Sequence, residues 1–202
     1  MRVAILIGTL ACLAGVGGYA AGLSQAIQLQ DGKVYFAQPP RLVEAVTTLN
    51  SINVWGATYY FTLRLPENAG EPLQKVTIDQ QEGGDYVRFD LKGSFAFQGT
   101  RPNQGQRLII QDITSNQETQ SVSITFDPPV KPGKTLTIAL KPIQNPNTAG
   151  VYLFGVKAFP GGQKSHGQFL GFGRLHFYSD GIDSFIYPWQ NPELHPDDAI
   201  SL

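Results

Sequence analysis

Three histidines, two neighbouring carboxylates and one Gly-Lys-Thr run are the residues of this chain best able to do chemistry. His166 follows a Pro-Gly-Gly turn, His176 sits in an apolar segment, and His195 lies near the C-terminus. No two are at i, i+2 or i, i+4, the spacings that place two imidazoles on one side of a strand or helix. A lone histidine on an apolar strand is ordinarily a hydrogen-bonded structural residue. Asp180-Gly181-Ile182-Asp183 offers two carboxylates, short of the about six to eight oxygens that calcium takes. Pro128–Thr135, PPVKPGKT, ends like a phosphate-binding loop. Such a loop needs a glycine where Pro128 stands without an N–H, and a helix where a strand pattern follows. Gly171-Phe172-Gly173 lacks the third glycine of a dinucleotide fingerprint, and no serine occupies a Gly-x-Ser-x-Gly elbow. Glu67 and Glu71 flank a turn and could face a cleft as a carboxylate pair, but a solvated loop accounts for both. The expectation is a chain with no enzymatic activity, no cofactor and no metal site.

The elements that would position these residues are strands. Tyr59, Phe61, Leu63 and Leu65 alternate with Tyr60, Thr62 and Arg64, and Val122, Ile124 and Phe126 alternate with Ser121, Ser123 and Thr125. Val76 and Ile78, then Val87, Phe89 and Leu91, then Leu136, Ile138 and Leu140, repeat the period-two pattern of a half-buried strand. Glu67-Asn68-Ala69-Gly70, Glu82-Gly83-Gly84-Asp85, Pro132-Gly133 and Asn145-Pro146-Asn147 separate them as turns. This pattern predicts an all-β fold, a single antiparallel Ig-like β-sandwich. Val151–Tyr178, dense in aromatics and glycines, reads as two closely packed central strands, with Gly171 and Gly173 allowing a bulge or a close backbone approach. Only Pro40–Leu49 carries a helical pattern, worth one or two turns.

Compartment and charge bound the function further. Met1–Ala26 opens with Arg2, continues through an apolar run from Val3 to about Val16, and ends Ser24-Gln25-Ala26. That is an export signal, with cleavage expected before Ile27. Gly15, Gly17, Gly18 and Gly22 dilute it as a membrane span, so no transmembrane segment is expected after cleavage. Cys12, the one cysteine, leaves with the signal. Fifteen Lys+Arg against sixteen Asp+Glu give a near-balanced chain, which argues against nucleic acid, whose phosphates need clustered positive charge. No Lys or Arg follows Arg174, whereas Asp180, Asp183, Glu193, Asp197 and Asp198 are acidic. This tail also holds Phe185, Ile186, Tyr187 and Trp189 among Pro188, Pro192 and Pro196. It reads as an irregular arm, laid back over the body or ordering on a partner. The expected organisation is a signal peptide over 1–26, a sandwich over 27–178 and the arm over 179–202.

Several blocks together resemble a known family. They are Gln38–Leu42 (QPPRL), Leu63–Leu73 (LRLPENAGEPL), Ala96–Gly99 (AFQG), Phe126–Val130 (FDPPV) and Val151–Tyr178. The chain is similar over about Ile27–Tyr178 to a cyanobacterial exported family, the domain of unknown function 2808. That resemblance implies a cyanobacterial cell and a periplasmic, envelope or thylakoid-lumen address, and it implies no activity. Thr62–Asn68 is also similar to periplasmic copper-handling sandwiches, but no histidine stands near Ile27 to bind copper. The reading is thus an extracytoplasmic binding or structural module with a protein partner, the alternatives being a copper-binding protein or a glycan-binding domain stacking sugars on Tyr59, Tyr60 or Trp55. Its expected binding residues are Glu67, Asn68, Glu71, His166 and Gln168 on the turns Pro66–Pro72 and Pro160–Gln168, with Phe185, Tyr187 and Trp189 on the arm.

Overall fold

The computed structural model describes residues 33–179 together with the backbone of Ile27–Gln28. The expected export signal over 1–26 and the expected arm beyond Ser179, including Phe185, Tyr187, Trp189 and His195, lie outside the described residues. Twelve strands follow in chain order: β1 (Ile27–Gln28), β2 (Val34–Tyr35), β3 (Arg41–Thr47), β4 (Tyr59–Arg64), β5 (Leu73–Glu82), β6 (Phe89–Gly99), β7 (Gln104–Arg107), β8 (Ile110–Asn116), β9 (Ser121–Val130), β10 (Thr135–Pro142), β11 (Gly150–Pro160) and β12 (Gln168–Phe177). β1 and β2 pair with each other. The remaining ten form two five-stranded antiparallel sheets, ordered β3-β4-β10-β6-β7 and β12-β11-β5-β9-β8. This is the antiparallel Ig-like sandwich expected from the alternation.

Alternate residues of the inner strands meet between the sheets. Tyr59, Phe61 and Leu63 of β4 and Leu136, Ile138 and Leu140 of β10 face Val76, Ile78, Ile124, Phe154 and Val156, all buried. Each such side chain contributes about 1.5–3 kcal/mol by leaving water. The centre is aromatic: Tyr59 lies 5.6 Å from Phe177, Phe61 lies 5.8 Å from Phe154, and Tyr152 meets Phe177 edge-on at 5.3 Å. A second, small apolar layer forms on the outer face of the first sheet. There Phe97, Ala139, Thr62 and Thr137 are buried. Thr137 Oγ1 donates to the Gly99 carbonyl (2.8 Å), so its contact with Thr62 Oγ1 (3.0 Å) takes its proton from Thr62. Arg107 lies over the Phe95 ring at 3.8 Å and Arg101 over Tyr60 at 5.5 Å, which closes this layer with cations on aromatic faces.

Two expectations are corrected. Arg41–Thr47 is strand β3, not helical turns. Its register shifts between Leu42 and Glu44, so Val43 is an extra residue. That bulge leaves Leu42 and Ala45 packed on the core, a three-residue spacing that mimics a helix. Within Val151–Tyr178, β11 is interior to its sheet but β12 is an edge strand. The two glycines there do different work. Gly171 has φ +125° at the register shift opposite Val156 and Lys157, a conformation that side chains other than glycine's strain to adopt. Gly173 allows a close approach: a Cβ there would lie 2.7 Å from Ala45 Cβ and 2.9 Å from Phe61 Cε1.

Candidate functional site

The pairing places every loop at one of two poles. Arg41 pairs with Arg64, Leu73 with Val130 and Pro160 with Leu73. The connections over 64–72, 127–134 and 161–167 therefore emerge together, beside the segment 33–41 and the β6–β7 hairpin. The segment 33–40 stitches the pole. Val34 N–H donates to Lys164 O (3.0 Å), His166 N–H to Val34 O (3.0 Å) and Ala37 N–H to Ala69 O (2.8 Å). Gly161 N–H donates to Pro72 O (2.9 Å), and Leu65 N–H donates to Lys134 O (2.8 Å).

The two turns chosen from sequence are thus brought side by side. Glu67 and Asn68 are exposed on the first, beside Gly133 of the β9–β10 turn, whose N–H donates to Pro66 O (3.2 Å). Glu71 is half-buried, and burial pushes its carboxyl above the ordinary glutamate value. On the second turn His166 is exposed, its ring 4.8 Å from that of Tyr35. Gln168 has a structural engagement: its side-chain oxygen accepts from Phe36 N–H (2.9 Å), holding the stitching segment against β12.

Between β3 and the 66–72 turn lies an open groove of about 700 Å³, bordered by Gln38, Arg41, Arg64, Glu67 and Asn68. A smaller one of about 270 Å³ lies across the β9–β10 turn, between Arg107, Lys131, Lys134 and the exposed Ile109. The pole is cationic. Among the described residues its loops (33–41, 64–72, 100–109, 127–134, 161–167) carry eight Lys or Arg, namely Lys33, Arg41, Arg64, Arg101, Arg107, Lys131, Lys134 and Lys164. Three carboxylates, Glu67, Glu71 and Asp127, stand against them. The loops of the opposite pole (48–58, 82–88, 117–120, 143–149) carry Arg88 against Glu82, Asp85 and Glu118. Arg41, Arg64, Lys131 and Lys134 were not singled out from sequence as binding residues. The two lysines lie in PPVKPGKT, which forms a strand end and turn, and the two arginines in the blocks QPPRL and LRLPENAGEPL.

The opposite pole is held by two polar networks. Asn145 is buried; its Oδ1 accepts from Tyr59 Oη (2.9 Å), and its Nδ2 donates to Leu49 O (3.0 Å) and Ser51 O (2.8 Å). Asp85 accepts from Asn147 N–H (2.6 Å), Thr148 N–H (3.2 Å) and Tyr152 Oη (2.8 Å). Burial alone would raise the Asp85 carboxyl, but these donors together hold it below the usual aspartate value. Of the three aromatics considered as sugar platforms, Tyr59 is in the core, Tyr60 lies under Arg101, and Trp55 is 70% exposed at this pole. Among the described residues no three His, Cys, Asp or Glu side chains gather as a metal-ligand set. No helix among them is long and apolar enough to cross a membrane.

A family model described as a protein of unknown function (DUF2808) matches residues 33–177. No curated protein matches the sequence. Among solved structures, the collagen-binding domain of a Staphylococcus aureus adhesin is similar with a TM-score of 0.37 at 11% identity, over 68% of this chain and 98% of that one. The C-terminal domain of the Streptococcus agalactiae AgI/II polypeptide BspA gives 0.38 at 16% identity, over 75% and 48%. That of the Streptococcus pyogenes antigen I/II-family protein AspA gives 0.38 at 14%, over 66% and 46%. The chain spans about half the length of both streptococcal structures. Likeness at this level carries no argument about function.

Proposed function

The chain belongs to the DUF2808 family, and from that premise we propose that it is a non-enzymatic, exported binding module whose cationic pole engages an acidic protein partner. The observation that carries this reading is the gathering of five separate segments, with eight Lys or Arg against three carboxylates, at the pole where the turns 66–72 and 161–167 meet. Loops on a rigid two-sheet frame are where binding residues concentrate, and one sign of charge at a pole steers an oppositely charged partner. Arg41 and Arg64, side by side on β3 and β4, present guanidinium groups able to grip carboxylates in a bidentate fashion. Glu67, Asn68 and His166 supply selectivity at the rim. The export signal and the family resemblance support an address in the periplasm, envelope or thylakoid lumen of a cyanobacterium.

The test is capture from membrane extracts by the full chain and by Arg64→Glu/Lys134→Glu, in low and high salt. A specific partner lost with the charge reversals and weakened by salt supports the reading; identical recovery by both proteins refutes it. The exposed Trp55 favours glycan stacking as a second reading. A glycan array whose hits vanish with Trp55→Ala would replace the first reading with the second.

A further inference from the structure

The side of the sandwich formed by β3 and β12 is open. Among the described residues each is the edge strand of its sheet with a single strand neighbour, and the two edges do not pair with one another. They converge at Gly173 and Ala45, then diverge around a groove of about 420 Å³ between Thr47 and Thr48 on one side and Arg174, His176 and Tyr178 on the other. The β12 edge also exposes apolar surface. The register shift at Gly171 pairs Phe169 with Lys157 and Phe172 with Gly155. Two phenylalanines three residues apart thereby share the outer face, their rings 5.0 Å apart and both more than half exposed. Gly155 beside them offers no side chain to cover them. Tyr178, also exposed, closes the strip at its lower end.

The chain leaves the described domain at the foot of this strip. Residues 180–202 carry five acids and no Lys or Arg, with Phe185, Ile186, Tyr187 and Trp189 near their start. We propose that this arm docks in cis along the β12 edge, its aromatics along the strip from Tyr178 to Phe172 with Trp189 at the Phe169–Phe172 pair, and its acids toward the cationic pole. The lengths agree. Counted back from a turn at Asp180-Gly181 at ~3.3 Å per residue, Phe185 comes level with His176 and Trp189 with Phe172. Asp180-Gly181 is a dipeptide well suited to reverse a chain. The charges agree too: at the same spacing Glu193, Asp197 and Asp198 come level with the pole that carries eight Lys or Arg. Tyr178 N–H already donates to Asn50 O (2.8 Å) and Tyr178 O accepts from Ile52 N–H (2.9 Å). The arm therefore docks through side chains over the outer face instead of extending the sheet from its base. Pro188, Pro192 and Pro196, which have no N–H to donate to a ladder, suit that mode. The docked acids share the pole with the acidic partner proposed above, whereas the docking of Trp189 on the β12 strip is read by its own fluorescence and fails or holds independently of partner capture.

The test uses the full chain with Trp55→Phe, which leaves Trp189 as the only tryptophan. The expected result is a blue-shifted Trp189 emission, several-fold less quenched by acrylamide than in denaturant and independent of protein concentration, with a monomer mass by light scattering. Phe169→Ser/Phe172→Ser should return the emission and quenching to the denatured-like values while the far-ultraviolet circular dichroism of the sandwich is kept. Arg174→Glu, which leaves the apolar strip intact, should raise the quenching partway. Solvent-like Trp189 emission in the native chain overturns the proposal. So does protection that grows with concentration alongside a dimer mass, which would mean a second copy is the acceptor, or protection that arises only on adding membrane extract.

Discussion

Asn145→Ala probes the joint between the 48–58 connection and the β10–β11 turn. The Asn145 side chain is 2% exposed and makes three hydrogen bonds, one from Tyr59 Oη and two to the carbonyls of Leu49 and Ser51. After truncation the Leu49 carbonyl still accepts from Thr47 Oγ1 (2.7 Å). The main loss falls on the Tyr59 hydroxyl, fully buried and deprived of its acceptor. A buried polar group left unsatisfied costs about 1–3 kcal/mol, and the lost amide and its packing bring the expected destabilisation to about 2–4 kcal/mol. That corresponds to roughly 5–15 °C in Tm for a domain of this size. Urea unfolding should show a lower midpoint with an unchanged m-value. The decisive comparison is the cycle with Tyr59→Phe. Removing both partners leaves no orphaned hydroxyl, so the double variant should be more stable than the sum of the singles predicts, by about 1–2 kcal/mol. A loss below about 0.5 kcal/mol for Asn145→Ala, or strict additivity in the cycle, would refute the reasoning.

Gly173→Ala would place a Cβ 2.7 Å from Ala45 Cβ; the β3 and β12 edges must separate, and thermal melts should show about 1–3 kcal/mol of destabilisation. At alkaline pH the tyrosines limit stability. Burial first, and the Asp85 carboxylate next, push the Tyr152 phenol from 10.0 up to about 12. The unfolded chain releases that proton first, so the stabilisation is complete below about pH 10 and is lost as pH rises toward about 12. A pH series of urea midpoints should fall in that window, less steeply in Tyr152→Phe.

The alternation in Tyr59–Leu65, Val122–Phe126 and Leu136–Leu140 was enough to find the sandwich, because strands with one face in the core carry their burial in a period of two. The same alternation puts Tyr59 in phase with Phe61, against the expectation of a sugar platform, and the structure buries it in the core. Alternation failed where a bulge intervened. At Val43 one extra residue turned Leu42 and Ala45 into a helix-like spacing, and at Gly171 another set Phe169 and Phe172 on one face. The turns around Glu67 and His166 could be chosen from composition, and their meeting through Ala37, Ala69, Pro72 and Gly161 rests on long-range pairing. The cationic pole was hidden for the same reason. Arg41, Arg64, Lys131 and Lys164 are far apart in a chain of nearly balanced charge, and only the strand order collects them.

The unequal poles make the domain an electric rod. Its longer strands of ten or eleven residues span about 33–36 Å, several times the Debye length of about 8 Å at physiological ionic strength. A charged wall therefore senses one end and not the other. For the described domain, an anionic partner is drawn to the basic loops from a distance, ahead of the Asp85 end. Orientation is then set at a distance, before any side chain has touched its partner, and it dissolves as salt is added.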